Sequence, residues 1–242
     1  LELSLLQLVL ASLLVAFGCF VQGALGFGLA LIAAPLLFLI HPALVPGPIL
    51  FLAMVISLII VWRNRSGLAI GELGSALVGR LPGMALALWI LGFASRDLLS
   101  LILGASVLLG VAASLSHWHL TPTRNKLLAA GFLSGFMGTS TSIGGPPMAL
   151  VYQNARGQRV RANLGGFFLI GTVMSVAGLA LLGHFGRQEL LLSLALTPAA
   201  LAGLALSRHA VSWVDAGRVR PVLLVLCTLS ALAVIGDGLL LR

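Results

Sequence analysis

Charge is what this chain has least of. Of its 242 residues only 8% are charged, against about 25% in a soluble domain, and so few cannot clothe a water-soluble fold. Hydrophobic residues make up 60%, so the solvent that suits most of the surface is lipid. Acids are the scarcer sign, with Asp+Glu at 6 beside Lys+Arg at 14. The net charge of +8 does not indicate a nucleic-acid partner, because the basic residues fall in short clusters between apolar runs, without aromatic interleaving. That placement suits cytoplasmic loops facing anionic headgroups. Cysteine is nearly missing as well. Cys19 and Cys227 lie inside apolar runs, which excludes a disulfide framework and leaves two packing residues.

Catalytic and metal-binding constellations are also lacking. His117-x-His119 has no third ligand to make a metal site. Ser140 and Ser142 have no plausible His or Lys near them, and the acids stand close to the ends of apolar runs. A membrane-embedded hydrolase or transferase would therefore want for a base, and the chain reads as no enzyme, with no cofactor.

What is present is hydrophobic length. Six runs are long enough to cross a bilayer at about 20 residues each: Pro42–Trp62, Leu73–Ala94, Leu98–Ser116, Asn163–Leu182, Leu190–Ser207 and Pro221–Leu241. Two further stretches are broken. Leu3–Val21 and the short Leu29–Ile40 flank Gln22-Gly23-Ala24-Leu25-Gly26-Phe27-Gly28, and Leu127–Met137 and Pro146–Asn154 flank Gly138–Gly145. The arms of the second pair would reach only about 16 and 13 Å of a ~30 Å hydrocarbon core. Glu2 stands where a secretory signal would be basic, and the segment after it is echoed later, so the N-terminal run reads as structure.

The two breaks share a register. A shift of 112 residues puts Gly23 on Gly135, Gly26 on Gly138, Pro35 on Pro147 and Phe20 on Phe132, and a slightly larger one puts Pro82 on Pro198. Each break precedes three long runs, so the chain divides into repeats at 1–118 and 122–242. If each broken pair counts as an even number of crossings, Arg63, Arg65, Arg124, Lys126, Arg156, Arg159, Arg161, Arg208, Arg218 and Arg220 share one side. The other side has Arg96, Arg187 and Arg242. The positive-inside rule then places both termini outside the cytoplasm, and three spans after each pair invert the second repeat relative to the first. Trp62, Trp118 and Trp213 fall at cytoplasmic span ends, as interfacial tryptophans do. The expected fold is an all-α polytopic membrane protein with two inverted-topology repeats. Each repeat is a broken or re-entrant helix pair plus three transmembrane helices, for 8–10 membrane segments.

Broken helices at bilayer depth persist where protein or a watery cavity satisfies their backbone. In inverted repeats they frame midplane substrate sites, where half-helix N-termini suit an anion. The candidate substrate-binding residues are Gln22, Gly23, Gly26 and Gly28 at the first break, and Gly135, Gly138, Thr139, Ser140, Thr141, Ser142, Gly144 and Gly145 at the second. Small residues there let an oxyanion approach the backbone; tight helix packing and helix capping are the competing explanation. Arg80 completes the set. It lies roughly 12 Å along a helix beyond Glu72, where it either faces a cavity and draws an anion or snorkels to the headgroups beside Pro82. Asp237 reads as an interfacial acid, and the Arg156, Arg159, Arg161 cluster as a topology determinant that could also funnel anions.

The segments Gly23-Ala-Leu-Gly26-Phe-Gly28 leading to Pro35, Gly131-Phe-Leu-Ser-Gly135-Phe-Met-Gly138 leading to Ile143-Gly144-Gly145-Pro146-Pro147, and Arg159-Val-Arg161-Ala162-Asn163 resemble the sulfite exporter TauE/SafE family, also called the toluene sulfonate uptake permease family. With span number and length, the resemblance covers essentially the whole chain. It implies a permease of the bacterial cytoplasmic (inner) membrane that moves small sulfur-containing anions such as sulfite, sulfoacetate or organosulfonates. The chain departs from the family pattern at Thr139-Ser140-Thr141-Ser142, where glycine is frequent, and a carboxylate substrate stays open. The expected function is a secondary transporter working by alternating access around a midplane site. A passive anion channel and, more remotely, a membrane enzyme are the alternatives. The expected partners are a small anion and the lipid bilayer, not nucleic acid, and a homo-oligomer is compatible with the sequence.

Overall fold

The structure, a computed structural model, describes residues 3–115, 121–152, 158–208 and 220–240. Among these residues every regular element is a helix. In chain order they are α1 (Leu5–Leu25), α2 (Leu29–Ile40), α3 (Gly47–Asn64), α4 (Ile70–Leu91) and α5 (Arg96–Leu115). Then come α6 (Arg124–Thr141), α7 (Gly145–Val151), α8 (Gln158–Leu181), α9 (Arg187–Ser207) and α10 (Arg220–Leu240). Short 3-10 turns at Pro42–Leu44 and Arg65–Gly67 lead into and out of α3.

Six described helices are long and apolar enough to cross a membrane: Leu5–Leu25, Pro42–Gly67, Ile70–Leu91, Arg96–Leu115, Gln158–Leu181 and Arg187–Ser207. The run expected at Pro221–Leu241 is the apolar helix α10, Arg220–Leu240. Leu3–Val21, grouped by sequence with the broken pairs, is thus a helix of spanning length. Its start is fixed by a reciprocal cap: the Gln7 amide donates to Ser4 Oγ at 3.2 Å, and the Ser4 amide to Gln7 Oε1 at 2.9 Å.

The breaks are narrower than the sequence implied. α1 runs through Gly23 and stops where Gly26 (φ 89°) and Gly28 (φ 131°) take conformations that side chains disfavour. α6 runs through Gly138 to Thr141, 18 residues and so about 27 Å rather than 16. The hydroxyls expected to open this segment serve the helix instead. Ser140 Oγ and Thr141 Oγ1 donate back to the Phe136 and Met137 carbonyls, both at 2.7 Å. The chain turns at Ser142, whose φ of 67° is left-handed.

Each pair then folds back on itself. Gln7 Nε2 reaches the Ile40 carbonyl at 3.3 Å at one end of the first pair, while the Leu29 amide donates to Gln22 Oε1 at the other. In the second pair Ser134 Oγ donates to the Gly144 carbonyl, and Met148 and Val151 pack in one cluster with Leu127 and Ala130. Each pair is a helical hairpin with one long arm and one shorter arm.

Between helices in lipid, apolar surface gains nothing by leaving the tails, so close backbone packing has to hold them. Here glycine provides it. A Cβ placed on Gly79 or Gly83 of α4 would strike the carbonyls of Leu128 or Phe132 on α6, and one on Gly131 or Gly135 would strike those of Ala76 or Arg80. The same occurs between α9 and α1, where Gly203 abuts the Ala16 carbonyl and Gly23 abuts Ser207. The pairing exchanges partners across the chain: α4 lies on α6, α9 on α1, α3 on α8 and α5 on α10.

The loops sort onto two ends. At one end Gly67 meets Gln158, so Arg63, Arg65, Arg159 and Arg161 lie there. At the other Gly47 meets Phe185, and Arg96 pairs with Asp237 at 3.3 Å. Trp62 is 70% exposed and lies under the Arg65 guanidinium. Trp118, Trp213, His117, His119 and Arg156 lie outside the described residues. Asp237 is therefore a partnered acid, but the pair is open to the exterior, where such bridges contribute below ~1 kcal/mol. Asp237→Asn is expected to leave transport unchanged and shift the melting temperature by less than about 3 °C in a thermal melt.

Candidate functional site

The two hairpin tips meet. A Cβ on Gly145 would lie 3.1 Å from the Phe27 ring, and Gly110 of α5 touches both Pro146 and Leu31, bracing the two short helices together. Around this meeting point is a small, half-open cleft. The first tip contributes Gln22, Phe27, Gly28, Ala30 and Leu31, and the second Gly138, Ser142, Ile143, Gly144 and Gly145. Leu50 and Ala53 come from α3, Arg80 from α4, and Phe168 and Thr172 from α8.

Arg80 dominates the electrostatics. It stands ten residues into α4, about 15 Å from its start and so at mid-helix. Its exposure is 1%. One terminal nitrogen donates to the Gly171 carbonyl at 3.1 Å and to Ser175 Oγ at 3.0 Å. The other reaches the Ser134 carbonyl at 3.5 Å, and the guanidinium lies 5.2 Å from the centre of the Phe167 ring. Thr139 Oγ1 lies 2.8 Å from Ser175 Oγ, holding that hydroxyl in place. Every one of these contacts is to a neutral group. The Nε is buried without a partner, and no carboxylate lines the cleft among the described residues. A guanidinium stays charged in proteins, so here is one fixed positive charge at depth with no counter-charge. It does not snorkel.

The backbone amides offer less than the broken-helix pattern implied. Gln22 Oε1 already accepts from Leu29, the first amide of α2. This leaves Ala30 and Leu31 as the first-turn donors that no helical carbonyl can reach. At the second tip, positions 146 and 147 are prolines and carry no N–H. Neutral side chains are mostly spent as well: Ser142 Oγ donates to the Pro46 carbonyl at 2.9 Å, and Thr172 Oγ1 to Phe168 at 2.7 Å.

Of the residues read from sequence, Gln22, Gly28, Arg80, Gly138, Ser142, Gly144 and Gly145 share the cleft. Gly26 lies against Arg161 and Leu164, Gly23 against α9, and Gly135 against the Arg80 backbone. Thr139, Ser140 and Thr141 are inside α6, making the bonds described above. Phe27, Leu50, Ala53, Phe168 and Thr172 were not singled out in advance, because as ordinary members of apolar segments they carry no signal. Nor was the cluster on Glu72, which accepts from Tyr152 Oη and Asn163 Nδ2, each at 3.0 Å, and from Arg159. This ties the end of the second hairpin to α4 and α8, and it gives Arg159 a definite partner. No group of three or more metal-ligating side chains occurs among the described residues.

A family model described as Sulfite exporter TauE/SafE matches residues 10–234. Neither the curated proteins nor the solved structures give a match.

Proposed function

The chain belongs to the sulfite exporter TauE/SafE family, and from that premise we propose that it is a secondary transporter of small sulfur-containing or other organic anions. Sulfite, sulfoacetate and organosulfonates are the candidates. The observation that carries the anion is Arg80, a buried guanidinium with neutral neighbours that lines the cleft between the hairpin tips, its terminal nitrogens beside Gly138. Such a charge is costly at bilayer depth, and an anion arriving in the cleft would offset that cost.

Alternating access is the mechanism this architecture suits. The exchanged pairing of α4 with α6 and α9 with α1 supports reading 1–118 and 122–242 as inverted repeats, which could rock about the tips. The end carrying Arg63, Arg65, Arg159 and Arg161 would face the cytoplasm of an inner membrane, leaving both termini on the opposite side.

Counterflow tests the carrier directly. Proteoliposomes loaded with unlabelled sulfite and diluted into labelled sulfite are expected to accumulate label transiently above its equilibrium level. Monotonic filling to equilibrium would instead indicate a passive pore, and no flux of any tested anion would end the reading.

A further inference from the structure

We infer that the cleft admits one negative charge per substrate, and selects a monoanion with a short apolar substituent over a dianion of similar size. This rests on the anion-site reading above and adds a charge rule to it. Among the described side chains lining the cleft, Arg80 is the charged one, so the site holds a single compensating unit. A second negative charge needs either a second cation or a set of spare donors. The hydroxyls of Ser142 and Thr172 are already committed to backbone carbonyls, and Gln22 Oε1 is committed to Leu29. Beside the Arg80 charge, the donors left are the Gln22 amide group and the first-turn amides of α2, enough to surround one compact oxyanionic head.

The rest of the lining has a different character. Phe27, Leu31, Ile143 and Phe168 present carbon to the cleft. A second anionic group there would lose its water and receive nothing, which is heavily unfavourable at this depth. An alkyl group there would gain by leaving water. The site therefore distinguishes substrates by the charge and tail of the anion: among the candidates it favours simple organosulfonates and hydrogensulfite over sulfoacetate and doubly charged sulfite, and a lone sulfonate and a lone carboxylate head would be handled alike.

The test uses the purified wild-type chain and three probes: propane-1-sulfonate, with one charge; ethane-1,2-disulfonate, of similar length with two; and inorganic sulfate. Binding is followed by isothermal titration and by the ligand-dependent rise in melting temperature. Propane-1-sulfonate is expected to bind at least about tenfold more tightly than either dianion. Across methane-, ethane- and propanesulfonate, affinity is expected to rise by up to about fourfold per methylene. In Arg80→Met the preference among the three should vanish along with binding. Equal or tighter binding of the disulfonate would overturn the charge rule while leaving the anion site standing. A flat alkyl series would overturn the apolar half. If none of the three binds wild type, the anion site itself falls, and the charge rule with it.

Discussion

Arg80→Met is expected to cut anion binding and transport about ten- to a hundredfold while leaving the melting temperature unchanged or higher. The two halves of that result come from different parts of the same environment. Binding falls because the one positive charge at the cleft is gone, and a buried charge-assisted contact contributes about 1.5–3 kcal/mol or more. Stability holds because replacing a buried charge by an apolar group of similar volume is often neutral or favourable. Few groups are stranded by the change. The Gly171 and Ser134 carbonyls lie within α8 and α6, where helical amides still reach them, and Ser175 Oγ keeps Thr139. Paired melts and flux assays on one preparation give the answer. A drop of many degrees accompanying the lost flux would make Arg80 a structural residue.

The second large effect is a pair of opposite signs on one helix. Gly83→Ala is expected to destabilise the protein by about 3 kcal/mol, a fall of roughly 10 °C, because its new methyl would meet the Phe132 carbonyl and the Phe136 backbone nitrogen. Neither neighbour is a side chain that can swing away. Gly74→Ala, nine residues earlier on the same α4, meets nothing within 4 Å. It is expected to be neutral or to stabilise by up to about 1 kcal/mol through helix propensity alone. Thermal melts of both variants in one detergent check the contrast. Equal melting temperatures would mean that α4 and α6 are not in backbone contact.

These two residues also show what could be read in the chain before its structure was known. Hydrophobic run length located the long helices to within a few residues, because crossing lipid fixes both composition and length. The register between Gly26 and Gly138, or Pro35 and Pro147, located the paired breaks to within about one helical turn, since α6 runs on through Gly138 to its turn at Ser142. The glycines of the α4–α6 seam were harder. Gly131 and Gly135 stand four apart, as do Gly79 and Gly83, and either a break or a seam can use such spacing. Only the facing helix decides, and that helix lies about fifty residues away in sequence. The hydroxyl run from Thr139 to Ser142 misled for a similar reason: serine and threonine open a helix or bond back into it according to what surrounds them. Arg80 was legible as an anomaly, since an arginine amid apolar residues demands a reason, but its neutral company was not. The prolines at 146 and 147 were in plain sight, and they weaken the second helix start as a donor whatever the fold.

The residues that hold Arg80 have a bearing on how the protein is made. Ser134, Phe167, Gly171 and Ser175 all follow it by more than fifty positions. A ribosome that has delivered the first five helices to the membrane has delivered the arginine with none of the atoms that will receive it. Until the later helices arrive, its charge must be sheltered by headgroups, by water or by the insertion machinery. Completion of biogenesis and completion of the binding cleft are then one event, and separately synthesised halves would have to find each other before either could stay settled in the bilayer.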